Sequence, residues 1–179
     1  MEITGILGRM AAMFKVNDVI IYGTQGVCQI IGIEEKNISS GKKSYFVLMP
    51  INGNGPTIYA PTDNKHVLSK MRRLLSKAEI DELINSMPNE NAVWVKNDNE
   101  RKERYKKILA GGDHVELIKM IKAIYAHKKE REAEGKRLHM MDEGFFKDAE
   151  QILYHEFQYV LKLKNKEEVM AYIFSRIEE

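Results

Sequence analysis

The apolar residues of this 179-residue chain change their spacing once, between Pro61 and Ser76. Before that point they occur in short runs, rich in β-branched residues and separated by turn residues, which is typical of strands. After it they recur every three or four residues, which is typical of amphipathic helices. The sequence therefore predicts an α+β protein, with a small β domain followed by an all-α domain.

The first part contains four runs with strand character, at residues 16–22, 27–33, 45–49 and 57–60. A turn with two glycines follows the first run, and a polar connection at residues 37–43 follows the second. Four or five such strands predict a small barrel whose interior is filled by its own side chains. A barrel of this size leaves no room for a substrate, so its edges and loops are expected to bind another molecule.

Helix start signals mark the second part. Ser76 and Glu79 have the spacing of a capping box, and we expect this helix to end near Ser86. Gly111 and Gly112 are the expected stop of a later helix. The candidate N-caps are Ser76, Asn97, Asp113, Asp142 and Asn165. Because isolated helices of this length are marginally stable, we expect them to pack as a bundle.

Catalysis, metal binding and cofactor binding find no support in the residue pattern. The five histidines are scattered, and no two of them are four residues apart, the spacing that places two ligands on one helix face. The glycines match neither a dinucleotide-binding loop nor a P-loop. Cys28 is the only cysteine, so the chain has no internal disulfide and a reducing cytoplasm is expected. Cys28 itself is expected to be a small core residue. We expect a protein that is not an enzyme, binds no cofactor and does not enter a membrane.

Basic residues are concentrated in one helix. The chain has 28 Lys and Arg residues against 26 Asp and Glu residues, so any nucleic-acid surface must be local. Five of the seven residues at positions 101–107 are cationic. They form either a solvated helix face or a surface that binds DNA phosphates. Trp94, the only tryptophan, lies just before this helix and is either a core residue or a wedge against a DNA base step.

Several segments together resemble the CarD/CdnL family of bacterial transcription regulators. In the first part they are residues 14–23 (FKVNDVIIYG), 26–27 (GV), 33–34 (IE), 45–48 (YFVL) and 58–61 (IYAP). In the second part they are residues 101–113, 130–135 and 149–153. The first part is also similar to the polymerase-binding module of the transcription-repair coupling factor.

The regular apolar pattern begins only at Phe14, which predicts a flexible extension at residues 1–12. The first domain then covers residues 13–75 and the helical domain residues 76–179. The resemblance implies that the first domain is Tudor- or SH3-like. It implies that the first domain binds the RNA polymerase β subunit and that the second contacts promoter DNA at the upstream edge of the bubble, stabilising the open complex. The implied polymerase-binding residues are Lys36, Ile58, Tyr59 and Pro61. The implied DNA-binding residues are Trp94, Lys96, Arg101, Lys102, Arg104 and Lys106. We expect a monomer.

The sequence departs from the family pattern in two ways. The family tryptophan directly precedes the basic helix, at the position that Asp98 holds here, so Trp94 lies four residues too early. Basic residues before a later helix are replaced by Glu143 and Gly144. Both departures weaken the predicted DNA surface. An adaptor that binds polymerase without contacting DNA is therefore the alternative hypothesis.

Overall fold

A computed structural model describes residues 13–39, 41–51 and 55–177 of the chain. The predicted extension at residues 1–12 lies outside the described residues. The chain divides into two compact units between Leu74 and Leu75. The first unit is a sheet of five strands and the second consists of helices, so the predicted α+β class is confirmed.

The first unit is an antiparallel sheet with the order β4-β3-β2-β1-β5. Its elements are β1 (Val19–Tyr22), a 3₁₀ turn (Gly23–Gln25), β2 (Val27–Ile38), β3 (Gly41–Pro50), β4 (Ile58–Pro61), a short helix α1 (Lys65–Leu68) and β5 (Met71–Arg73). The core on one face of this sheet includes Ile30, Phe46 and Leu48. Cys28 lies in the same core and is fully buried, as predicted.

The prediction of a polar connection at residues 37–43 is wrong. β2 and β3 continue through it as a hairpin, with Lys36 opposite Lys43 and Ile38 opposite Gly41. Backbone pairing, once started by the apolar residues, extends into polar residues because every added pair satisfies more N–H and C=O groups. β5 was not predicted, since two of its three residues are arginines.

Closure of the sheet into a barrel is not confirmed. β4 and β5 are the two ends of the strand order, and within the described residues no strand pairs with the outer edge of either one. The first unit is therefore an open sheet in this structure, and β4 is one of its edge strands.

Five α-helices form the second unit: α2 (Lys77–Ser86), α3 (Asp98–Gly111), α4 (His114–Ala133), α5 (Met140–Leu161) and α6 (Lys166–Ile177). A 3₁₀ turn (Met87–Asn89) follows α2. The capping box is confirmed, because Ser76 Oγ accepts from Glu79 N at 3.2 Å and Glu79 Oε2 accepts from Ser76 N at 2.7 Å. Gly112 ends α3 in the left-handed conformation, at φ 64°.

The other predicted caps have different outcomes. Asn97, Asp113 and Asn165 each accept a hydrogen bond from the backbone N–H three residues later, as predicted. The prediction for Asp142 is wrong: the N-cap of α5 is His139, three residues earlier, and Asp142 is buried in the first turn of the helix. A carboxylate near a helix N-terminus is favourable in either position, and here a buried arginine holds it inside.

The second unit has two apolar clusters. One joins α2, α4, α5 and α6 around Ile80, Phe157 and Val169. The other joins α3, α4 and α5 around Tyr105 and Ile124. An irregular segment at residues 90–97, which we call the strap, connects the turn after α2 to the start of α3.

Candidate functional site

The outer edge of β4 presents backbone groups in a defined pattern. Thr62 N donates to Ser44 O at 3.0 Å, which makes Ser44 and Thr62 a hydrogen-bonded pair. Because such pairs alternate along an antiparallel ladder, Ala60 and Ile58 bond to β3 while Tyr59 and Pro61 do not. The N–H and C=O of Tyr59 therefore point away from the sheet. Proline has no N–H, so Pro61 leaves only its carbonyl on this edge.

Two of the predicted polymerase-binding side chains contact each other beside this edge. Lys36 Nζ lies 3.1 Å from the centroid of the Tyr59 ring, although β3 separates their strands. The Tyr59 residue is 41% exposed and Lys36 is half-buried, so the cation and the ring form one surface feature. Ile58 differs, because its side chain packs against the core of the sheet and its backbone bonds to β3. Pro61 is half-buried.

Arg101, predicted to face DNA, is a core residue. It is only 2% exposed, and its guanidinium makes five hydrogen bonds. Nε and Nη2 donate to the two Asp142 oxygens at 2.8 and 2.9 Å, and Nη2 also donates to Asp98 at 2.9 Å. Burial alone lowers the pKa of Arg101, but the hydrogen bonds to Asp142 and Asp98 outweigh it and raise the pKa. The guanidinium has no donor left for a phosphate.

Trp94 lies between two flat groups. Its ring stacks on the His127 imidazole, with centroids 3.8 Å apart and an interplanar angle of 21°. On its other side the Arg101 guanidinium carbon lies 4.2 Å from the ring centroid. Trp94 also packs against the apolar cluster of α3, α4 and α5. Both faces of the indole are thus covered, which gives the core interpretation its structural basis and leaves no open face for a base.

The remaining predicted cations are exposed but divided between two flanks of α3. Lys102 and Lys106 lie one turn apart on one flank, and Lys106 pairs with Glu103 at 2.9 Å. Arg104 lies on the other flank, 4.0 Å from Glu116. Lys96, at the end of the strap, is exposed. Of the six predicted DNA-binding residues, four therefore present accessible charge: Lys96, Lys102, Arg104 and Lys106.

Three residues that sequence reasoning missed hold the strap in place. Lys122 donates to the carbonyls of Met87 at 2.8 Å and Glu90 at 2.6 Å, which holds the beginning of the strap. Asp142 orients Arg101, which donates to the carbonyl of Val95 near the end of the strap at 2.8 Å. His127 stacks on Trp94, which lies in the middle of the strap. Nothing in the sequence pairs Asp142 with Arg101, because 41 residues separate them.

The parts of the chain that the structure covers contain neither a cluster of metal ligands nor a helix able to span a membrane. There, no three His, Cys, Asp or Glu side chains gather as metal ligands. None of the helices described above is long and apolar enough to span a bilayer.

Comparison with known proteins identifies the first unit. Residues 14–74, about a third of the chain, match the family model described as the CarD-like/TRCF RID domain. No curated protein matches the chain significantly. The match ends where the sheet ends and does not include the helices of the second unit. It supports an interaction with RNA polymerase and a role connected with transcription. Residues 14–74 of this chain thus form a domain of the CarD-like/TRCF RID family.

Proposed function

We propose that this protein regulates bacterial transcription without catalysing a reaction, by binding the RNA polymerase β subunit through its first unit and promoter DNA through its second. The DNA contact lies at the upstream edge of the bubble and stabilises the open complex. The observation that carries this proposal is the family match of residues 14–74, whose open edge strand β4 lies beside the Lys36–Tyr59 pair.

The polymerase contact is strand addition at β4. An exposed strand edge offers backbone groups to an extended segment of another protein, and neighbouring side chains supply specificity. Here the outward N–H and C=O of Tyr59 offer the backbone contacts, and the Tyr59 ring and Lys36 supply the side chains. The proposal keeps a Tudor-like fold for the first unit, but with a free edge at β4, because a fully closed barrel would hide the edge that strand addition needs.

The DNA contact depends on the exposed cations Lys96, Lys102, Arg104 and Lys106. With so few phosphate contacts, affinity for DNA alone is weak and falls steeply with salt. Attachment to polymerase raises the local concentration of the second unit near the promoter and compensates for this weakness. Sequence specificity then comes from the polymerase and the shape of the bubble.

The second candidate function is a polymerase-binding adaptor that does not contact DNA. It is favoured by a specific observation: Arg101 is internal, and Arg104 and Lys106 lie close to Glu116 and Glu103. These contacts reduce the accessible positive charge of α3.

Binding of the full chain to purified fragments of the polymerase β subunit tests the first half of the proposal. The variants Tyr59→Ala and Lys36→Ala should each weaken binding, and Lys42→Ala, an exposed lysine on β3, is the matched control. If Tyr59→Ala, Lys36→Ala and Lys42→Ala all bind like the wild type, the proposed contact at β4 is wrong.

Charge reversal tests the second half. The double variant Lys102→Glu with Lys106→Glu should shorten the lifetime of open complexes. It should also make the plot of log binding constant for promoter DNA against log salt concentration shallower, by roughly 0.9 per lost phosphate contact. The control reverses two other exposed lysines, Lys107 and Lys164. Unchanged lifetimes in the first double variant, with polymerase binding intact, would favour the adaptor. Arg101 is left unchanged, because its loss would disturb the core.

A further inference from the structure

An open apolar groove lies in the second unit between α4, α5 and α6, beside the 3₁₀ turn that follows α2. Its volume is about 310 Å³, and ten residues line it. Ile118 and Leu153 are buried at its floor, whereas Phe174 and Ile177 on α6 are 55% and 38% exposed. A continuous exposed apolar surface of this kind is typical of a binding site for another molecule.

Helix α6 carries more apolar surface than its packing in the second unit uses. Val169 and Ile173 belong to the apolar cluster that α6 shares with α2, α4 and α5. Met170, Phe174 and Ile177 form a second stripe at the spacing i, i+4 and i+7, and each is at least 36% exposed. One apolar stripe is enough to hold a helix against its own domain. The second stripe extends the groove and enlarges the apolar surface that a partner can bury.

Lys122 is the only charged side chain among the described residues that line the groove. Its Nζ donates to the carbonyls of Met87, Pro88 and Glu90 at 2.8, 3.3 and 2.6 Å, and it forms no ion pair in the described part of the chain. The three carbonyls satisfy its donors but leave its positive charge without a carboxylate. A partner that brings a negative charge to this end of the groove is therefore favoured, through charge attraction and not through a further hydrogen bond.

We propose, on the basis of the function proposed above, that this groove binds an acidic amphipathic helix of the RNA polymerase holoenzyme. The groove offers apolar side chains, so an extended segment would leave its own N–H and C=O groups unpaired against them. A helix satisfies its backbone internally and presents apolar residues at the spacing i, i+3 or i+4, and i+7. These residues enter the groove beside Phe174, and an acidic residue next to them faces Lys122.

The size of the groove favours a short tethered segment over a second copy of this chain. A stable interface buries about 800 Å² and roughly 20–30 residues on each partner, and ten residues line this groove. A contact this small is occupied when another contact already holds the two molecules together, because the tether raises the local concentration. In the proposed function the first unit supplies that tether, so the bound helix belongs to polymerase.

Site-specific photocrosslinking of the full chain to purified polymerase holoenzyme tests this proposal. Phe174→p-benzoylphenylalanine keeps an aromatic ring at the groove, and the same replacement at Tyr159, an exposed aromatic residue of α5 that does not line the groove, is the matched control. Position 174 should crosslink to one helical segment of the holoenzyme that carries acidic residues beside an apolar stripe. Position 159 should not crosslink to that segment.

Affinity measurements test the energetic contribution of the groove. Phe174→Ser should bind the holoenzyme roughly three- to tenfold more weakly, whereas Tyr159→Ser should bind like the wild type. Both side chains are largely exposed, so urea midpoints should change little and show that the fold is retained. A synthetic peptide of the crosslinked segment should bind the full chain at least about threefold more tightly than the same peptide with its acidic residues changed to glutamine, and salt should reduce the difference.

The possible outcomes separate this inference from the proposed function. Crosslinks from position 174 to a second copy of this chain would assign the groove to a dimer and overturn the inference. So would crosslinks to a segment without acidic residues, or equal crosslinking from positions 174 and 159 in a complex that has formed; in that case polymerase binding through the first unit still stands. If the wild-type chain forms no complex with the holoenzyme, the proposed function itself fails.

Discussion

Asp142→Asn is the sharpest test of the arrangement around Trp94. Asp142 and Arg101 are 1% and 2% exposed, and the carboxylate accepts two hydrogen bonds from the guanidinium, at 2.8 and 2.9 Å. The asparagine amide keeps one acceptor oxygen and places an NH₂ donor against a guanidinium N–H. The buried cation then retains only Asp98 as a charged partner, and the Asp98 side chain is 66% exposed.

The expected magnitude follows from burial. Breaking a buried ion pair by removing one partner costs about 3–5 kcal/mol, because the remaining charge is left uncompensated. Asp98→Asn, by contrast, weakens a largely solvated pair and should cost at most about 1 kcal/mol. A domain of this size has a free energy of unfolding of about 5–15 kcal/mol, so the Asp142→Asn variant should fold with a much lower urea midpoint.

Urea unfolding followed by Trp94 fluorescence measures this difference in the unit that contains the pair. Asp98→Asn is the matched control, because it changes the other carboxylate bound to the same guanidinium. The double variant Arg101→Met with Asp142→Leu should be more stable than Asp142→Asn, since it leaves no uncompensated charge. If Asp142→Asn and Asp98→Asn lowered the stability equally, the buried pair would not be the structural centre of this region.

Three further predictions concern single side chains. Burial and the nearby Asp142 charge raise the pKa of Tyr105 to about 12. The buried Tyr105 hydroxyl has no hydrogen-bond partner within the described ranges. Tyr105→Phe removes this unsatisfied group, so it should leave the urea midpoint unchanged or raise it. Burial lowers the pKa of His155, so the folded chain binds a proton less readily than the unfolded chain. Stability should therefore be complete above the ordinary histidine pKa of about 6.5 and fall as the pH drops below it, and His155→Gln should flatten that acidic slope in urea midpoints measured across pH. Burial raises the pKa of Cys28 to about 11, so a thiol reagent at neutral pH should modify it only after unfolding; rapid labelling of the native protein would contradict its core position.

Local signals in the sequence predicted most secondary structure of the second unit. Caps such as Ser76 with Glu79, and the glycine stop after α3, depend on hydrogen bonds within three or four residues, so they can be recognised without the rest of the fold. The strand runs of the first unit were predicted for the same reason. The hairpin extension to Ile38 and the strand β5 were missed, because they depend on pairing between backbones and not on side-chain pattern.

The sequence by itself determined the α+β class, most of the helix starts and the buried position of Cys28, since these follow from residue spacing. Only the tertiary structure decided which cations are accessible. Arg101 lies in a run of basic residues that looks uniform in sequence, yet it turns inward because Asp142, 41 residues away, compensates its charge in the core. The tertiary structure also brings Lys36 and Tyr59 together into one surface, and it covers both faces of the Trp94 ring. Contacts between distant residues exist only once the chain has folded, so no local pattern can contain them.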